Sequence, residues 1–402
     1  MLSVTDALAH VLATARPLPP TMVPLLEANG RVLRQNLLAD RDFPPFDRVA
    51  MDGVALRFEN LEAGQLAFVV ERAQLAGQPP VPLFDPRAVI EIMTGAALPP
   101  GTDTVVRYED LHLTETNGVR VATVQTVPLR AGHNVHRQAA DVQAGELLVA
   151  HGTCLGPAEI AVAAAVGAAT LAVTRPARVA VVGTGDEVSP LSQPPLSYQV
   201  RRSHAPMLQA ALTEVGVSSD AFHFDDDPAA LRLGLPPLLA SYDAVLLSGG
   251  VSKGQADFLP QVLRELGVEE VFHRVAQRPG MPFWFGQVPG GAVVFALPGN
   301  PVSTFVNYYR YVQPWLQCCQ GGTVPPPQFA VLTSPVDFKP QLTYFLPVKL
   351  ESDPAGRLLA HPVPTGGSGD LAGLLAADGL LELPAQPTHF AAGGVFEVWR
   401  FR

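Results

Sequence analysis

Val179-Ala180-Val181-Val182-Gly183-Thr184-Gly185 is the stretch that decides the fold. Four consecutive apolar residues, three of them β-branched, run into a Gly-Thr-Gly turn. That is the texture of a strand buried on both faces that ends in a tight loop. The same sentence is written twice more. Asp243-Ala244-Val245-Leu246-Leu247 runs into Ser248-Gly249-Gly250, and Ala292 to Leu297 runs into Pro298-Gly299-Asn300-Pro301. Helical spacing follows the first at 205–215 and the third from Val302 to about Leu316. Apolar strands alternating with helices predict a three-layer α/β/α domain with a mostly parallel sheet. In such a sheet ligands bind beyond the carboxyl ends of the strands, where all three glycine-rich loops fall.

Working outward, the flanks have other textures. Residues 3–15 place Val4, Leu8, Val11, Leu12 and Ala15 at helical spacing behind Ser3 or Thr5 as caps. From Phe43-Pro44-Pro45-Phe46 to about Asp141 come short β-rich runs (67–71, 88–93, 104–108, 119–127) divided by Gly and Pro. An Ala/Val/Leu pattern returns at 142–174, with 160–173 expected to be a buried helix and strand. Gly321-Gly322-Thr323 and Pro325-Pro326-Pro327 read as a stiff linker before a last block of short strands. The expected division is a discontinuous N-terminal domain (1–40 and 142–175), an inserted β-rich domain (41–141), the α/β domain (176–322) and a C-terminal β domain (323–402).

Composition narrows the function. Hydrophobic residues make up 48% and charged ones 16%, which supplies real cores and excludes disorder. Lys and Arg number 27 against 37 Asp and Glu, a net charge of −10 with no basic block, so nucleic acid is not the expected partner. Three cysteines (Cys154, Cys318, Cys319) with no Cys-x-x-Cys fit neither a disulfide framework nor zinc, and suggest a reducing, cytoplasmic setting. The start of the chain does not read as a signal peptide, and its longest apolar run falls short of the ~20 residues of a membrane span. The ten histidines show no metal-ligand spacing, and no Gly-x-Ser-x-Gly elbow supports a hydrolase triad.

The loops themselves carry chemistry. In Pro298-Gly299-Asn300-Pro301-Val302-Ser303, Asn300 is a good helix N-cap and Pro301 suits the first helical position. The N–H groups of Val302 and Ser303 are then expected to face the loop crevice as an anion site, the alternative being an ordinary turn. Gly249 and Gly250 let backbone approach a ligand, with Ser252 and Lys253 as donors. Asp186, Glu187, Asp226 and Asp257 stand at strand ends or near these loops, where one or two carboxylates beside phosphate suit a hard cation such as Mg2+. Asp226 and Asp227 are equally good helix caps.

Taken in order, these segments resemble one family. Pro44-Pro45-Phe46-Asp47-Arg48-Val49-Ala50-Met51-Asp52-Gly53 is similar to its Pro-x-Phe-Asp-x-Ser-Ala-Met-Asp-Gly signature. Met93-Thr94-Gly95, Pro100-Gly101-Thr102-Asp103, Thr184-Gly185-Asp186-Glu187, Ser248-Gly249-Gly250-Val251-Ser252, Arg278-Pro279-Gly280-Met281-Pro282 and Pro298-Gly299-Asn300-Pro301-Val302-Ser303 follow in the family's order. The chain therefore resembles the molybdopterin molybdenumtransferases of bacterial molybdenum cofactor synthesis and the C-terminal domain of gephyrin. The resemblance implies a Mg2+-dependent transferase. Such an enzyme inserts molybdenum from molybdate into adenylylated molybdopterin and releases AMP. The resemblance also implies a homodimer, with the site between one subunit's α/β domain and the other's small β domain. It makes Asp226 and Asp257 the metal-holding catalytic pair. It places Asp52, Thr94, Asp141, Asp186 and Glu187 along the cleft, and Ser248, Gly249, Gly250 and Ser252 on the nucleotide or phosphate side. Arg278, Pro282, Pro298, Gly299, Asn300, Pro301 and Ser303 fall at the molybdate and pterin end.

The sequence departs from the pattern at three places. Met281 stands where a second lysine is usual, Pro347 lies near an expected arginine, and His204 replaces an asparagine. Lys253 is the candidate to restore the lost charge. The alternative reading is a catalytically weak molybdopterin-binding scaffold of the same fold.

Overall fold

The computed structural model describes residues 1–250 and 258–402; Ser252, Lys253 and Asp257 therefore lie outside the described residues. The chain separates into two compact units. One comprises 1–34, 152–156 and 171–402, the other 35–151 and 157–170.

In the first unit, the three apolar runs become adjacent parallel strands, Val179–Thr184, Ala244–Ser248 and Val293–Leu297. Their registers align Gly183 with Ser248 and Ser248 with Leu297, so the three glycine-rich loops leave the sheet side by side. Ser219–Phe224 adds a parallel edge strand, and Trp284–Gln287 and Glu269–His273 extend the other side antiparallel. Alternate residues face opposite layers. Val179, Val181, Leu246 and Phe295 enter one core with the opening helix and the helices at 204–214 and 301–319. Ala180, Val182, Val245, Leu247 and Val294 enter the other with the helices at 228–241 and 259–265. The opening helix runs Val4–Ala13, with the Ser3 side chain accepting from the Asp6 N–H as its cap.

The last block forms a closed β structure. Thr343–Ser352 pairs with both Leu358–Pro362 and Gly379–Leu383, and Gln328–Leu332 and Val395–Arg400 complete the circuit. Gln277–Arg278 joins it in parallel beside Thr343–Tyr344. An ion pair ties this barrel to the helices. Buried Arg310 donates from Nε to Glu382 at 3.0 Å, lies 4.3 Å over the Trp399 ring, and shares that glutamate oxygen with the Trp399 indole. Arg310→Met leaves Glu382 beside Glu397, whose carboxyl is already pushed up by burial and by that neighbour. We expect a loss of about 3–5 kcal/mol, read as a lower denaturant midpoint; an unchanged midpoint would show the pair to be dispensable.

The second unit carries a six-stranded sheet in which Gly53–Leu56 lies between Val89–Ile92 and Thr104–Arg107. Gly53, from the Met-Asp-Gly segment, sits so close to the Val106 carbonyl that a Cβ has no room.

Two local expectations are corrected. The apolar run beginning at Ile160 was expected to be buried. It belongs to the helix Pro157–Ala165, which buries only Ala163, while its strand part, Thr170–Thr174, buries Leu171, Val173 and Thr174. The helix expected from Val302 to about Leu316 is interrupted by a wider turn at Tyr308–Val312.

Candidate functional site

The loop Pro298–Ser303 divides two cavities. The first, about 390 Å3, lies beyond the carboxyl ends of the strands and is lined by Gly183, Thr184, Glu187, Arg202, His204, His223, Ser248, Gly249, Gly299 and Pro301, among others. The second, about 630 Å3, is walled by Arg278, Met281, Pro282, Asn300, Ser303, Asp337, Lys339, Tyr344 and Pro347. Gly299 and Pro301 face one cavity; Asn300, Val302 and Ser303 face the other.

Close packing builds the first cavity. Gly249 has φ +107°, and a Cβ there would lie 2.7 Å from the Thr184 hydroxyl, so only glycine lets these two strand ends meet. His204, at the start of the helix His204–Glu214, brings Nδ1 to 3.1 Å from the Ser248 hydroxyl. The Thr184 Oγ1, Arg202 Nε and His223 Nδ1 atoms are buried and have no hydrogen-bond partner among the described residues. Three unsatisfied polar atoms at one cavity mark a place where a ligand supplies the missing partners.

Burial pushes the His204 imidazole below its ordinary range, against a smaller pull from Glu187, and burial pushes His223 down as well. Both rings stay neutral in the fold at pH values where an unfolded histidine begins to charge. The unfolded chain then binds more protons, so this stability is complete above the ordinary imidazole value of about 6.5 and is lost as pH falls toward the folded values. His204→Gln is expected to flatten that part of the profile. Urea midpoints at about pH 7.5 and 5.5 check it; an equal acid loss in native and variant chains would contradict it.

The carboxylates separate by role. Asp227 is the helix cap, accepting from the Ala230 N–H at 3.0 Å. Asp226 does not serve as that cap, and its backbone N–H donates to Asp186 Oδ1 at 3.3 Å. Asp226 borders a small crevice with Thr184 and Gly250. Among the described residues no group of three or more His, Cys, Asp or Glu gathers as a complete metal site.

Of the donors expected in the Asn300 loop's anion site, the Val302 N–H is engaged within the fold. Asn300 holds the cap position, but its side chain makes no cap bond, and the Val302 N–H donates to the Ser368 carbonyl at 3.2 Å. That donor is already spent. Pro298 is buried and lines neither cavity; its carbonyl accepts from the Thr304 hydroxyl at 2.6 Å. The positive charge of the second cavity comes from side chains instead. Arg278 and Lys339 make no ion pair among the described residues, and Asp337 is engaged by His389 at 2.7 Å. Lys339 was not found by sequence reading, because nothing near it in sequence says that the barrel folds it toward Arg278.

In the second unit, Thr94 donates through both N–H and hydroxyl to Asp52 Oδ1 at 2.6 and 2.7 Å, which holds that carboxyl below its usual range. Asp141 pairs with His136 at 2.8 Å.

Comparison with known proteins agrees with this architecture. Residues 2–167 match the MoeA N-terminal region (domains I and II), 180–317 a probable molybdopterin binding domain, and 330–401 the MoeA C-terminal region (domain IV). The molybdopterin molybdenumtransferase of Synechocystis is 35% identical, with 98% of this chain and 99% of the relative covered. Molybdopterin molybdenumtransferase 2 of Mycobacterium tuberculosis is 32% identical, with 99% of each covered. The crystal structure of the MoeA molybdopterin biosynthesis protein from Pyrococcus horikosii superposes with a TM-score of 0.84 at 31% identity, covering 100% of this chain and 99% of that one. With full-length relatives, three matched regions in order and the same fold, the chain belongs to the molybdopterin molybdenumtransferase (MoeA) family and acts in molybdenum cofactor biosynthesis.

Proposed function

We propose that this chain inserts molybdenum from molybdate into adenylylated molybdopterin and releases AMP. The observation that carries the reading is the pair of cavities sharing the Pro298–Ser303 loop. A substrate with two chemically different ends, joined by a pyrophosphate, suits two pockets divided by one loop. The first cavity, with Thr184, Ser248, Gly249 and the neutral His204 and His223, takes the nucleotide side. The second, where Arg278 and Lys339 have no carboxylate partner among the described residues, takes the oxyanion and pterin side.

Asp226, with Asp186 beside it, suits Mg2+, which needs only one or two carboxylates when substrate phosphates supply the rest. Asp257 completes this assignment in sequence and lies outside the described residues. When bound, the cation neutralises phosphate charge as the link to AMP breaks. The protein's own groups do the rest: the glycine turns admit the phosphates, Ser248 is oriented by His204, and Arg278 and Lys339 hold the oxyanion. Glu187 lines the first cavity, and Asp52, Thr94 and Asp141 remain substrate contacts in this reading. A homodimer is part of it, and the apolar helix Pro157–Ala165, with little of its surface buried, is consistent with that. So is a cytoplasmic location, with all three cysteines free; no helix among the described residues is long and apolar enough to cross a membrane.

The test is transfer. Purified protein, adenylylated molybdopterin, molybdate and Mg2+ are incubated anaerobically and then given to an apo-molybdoenzyme. Gain of acceptor activity supports the reading; tight pterin binding with no gain would favour the scaffold alternative. Lys339→Gln is expected to raise the molybdate concentration for half-maximal rate by roughly tenfold, from loss of a charge-assisted contact. An unchanged value would remove Lys339 from the site.

A further inference from the structure

A third cavity, about 440 Å3, lies at the opposite end of the sheet, where the parallel strands begin. Arg175, Arg178 and Asp243 form its floor, and Arg16, Ser241, Tyr242, Gln287 and Trp315 are among the residues around it. The Asp243 carboxylate is saturated. It accepts two bonds from the Arg175 guanidinium, both at 2.7 Å, and one from the Arg178 backbone N–H at 2.7 Å. That pairing neutralises Arg175 and fixes it in place.

Two cations are then left over. Arg178 lies 5.5 Å over the Tyr242 ring and has no carboxylate partner, and the Arg16 side chain has no partner of any kind among the described residues. The Ser241 hydroxyl and the Gln287 amide also make no side-chain hydrogen bond there. Asp220, which holds the Tyr242 hydroxyl at 2.7 Å, does not line the cavity. A cavity with several free donors, two unpaired guanidiniums and its one carboxylate already spent is built for an anion. This occurs in a chain whose net charge is −10, so the local excess is not an average property of the surface.

We propose that this cavity binds a phosphomonoester, a phosphorylated small molecule distinct from the substrate of the glycine-rich loops. Guanidinium forks match phosphate oxygens bidentately. The volume far exceeds that of a bare oxyanion and falls within the range of small-molecule sites. Leu239, Val288 and Trp315 give an apolar wall for the organic part. The strands between the two ends, five and six residues long, span about 16–20 Å. A single small ligand does not reach both sites.

Calorimetric titration at low ionic strength with phenyl phosphate, and separately with inorganic phosphate, tests this on the native chain and on Arg16→Gln, Arg178→Gln and Arg278→Gln. Both Arg16 and Arg178 are exposed, so their variants are expected to fold, which circular dichroism confirms. The expected result is a phenyl phosphate isotherm weakened about tenfold by Arg16→Gln and by Arg178→Gln and untouched by Arg278→Gln. Weaker binding of inorganic phosphate assigns the apolar wall to the organic part. Binding indifferent to Arg16 and Arg178, binding lost with Arg278→Gln, equal affinity for both probes, or no binding at millimolar probe would each overturn the proposal.

Discussion

Asp226→Asn is expected to lower the rate of AMP release from adenylylated molybdopterin by about 10²–10³-fold. The substitution removes a charge and keeps the shape. It leaves intact the contact to Asp186, which uses the Asp226 backbone N–H. It also leaves intact the helix start, because the cap is Asp227. A metal-holding role shows in rate and in a raised Mg2+ requirement. A fall of less than tenfold, or one that excess Mg2+ does not touch, would remove Asp226 from the centre of the mechanism.

Gly280→Ala is expected to cost about 2–5 kcal/mol of stability. Gly280 has φ +96°, and a Cβ there would lie 2.7 Å from both Asn307 Oδ1 and Gln277 Nε2. Those two atoms bond one another at 2.7 Å, the Tyr311 hydroxyl donates to Gln277, and the Asn307 amide donates back to the Gly280 carbonyl at 3.3 Å. All three side chains are buried. The network has no slack to give, and the methyl would separate partners that water does not reach. Gly290 is the control: it has φ +70° and nothing within 4 Å of its added Cβ, so Gly290→Ala carries backbone strain alone, about 1 kcal/mol. Equal midpoints for the two variants in urea would refute the packing argument. Because Arg278 and Met281 flank Gly280 and line the second cavity, the Gly280 variant is also expected to lose molybdate dependence.

The sequence was most readable where one physical demand dominates. The strands at 179, 244 and 293 are buried on both faces, so their composition is almost wholly apolar and their boundaries lie within two residues of expectation. Ser219–Phe224 was missed. It is an edge strand, only partly buried, so Ser219, Asp220 and His223 break the apolar run that marks its neighbours. With it went His223, whose place at the cavity depends on that strand. Trp284–Gln287 was hidden in the Met-Pro-Phe segment, where the motif drew attention from the strand. The Val302 N–H was expected to be free because local rules describe a helix start alone; Ser368, 66 residues later, fills it. The glycines were found as motif letters, but their reasons differ. Gly249 admits the Thr184 hydroxyl, Gly280 a buried amide pair, and Gly53 a neighbouring strand's carbonyl. Lys339 and Arg16 carry no sequence signal, since each gains meaning only from what the fold leaves unpaired around it.

The most direct measurement is AMP release by the native chain from adenylylated molybdopterin with Mg2+, anaerobically, with and without molybdate. The account predicts release that depends on molybdate, with one AMP formed for each molybdenum bound to the pterin. Release at the same rate without molybdate, or stable binding of the intact substrate with molybdate present, would contradict it.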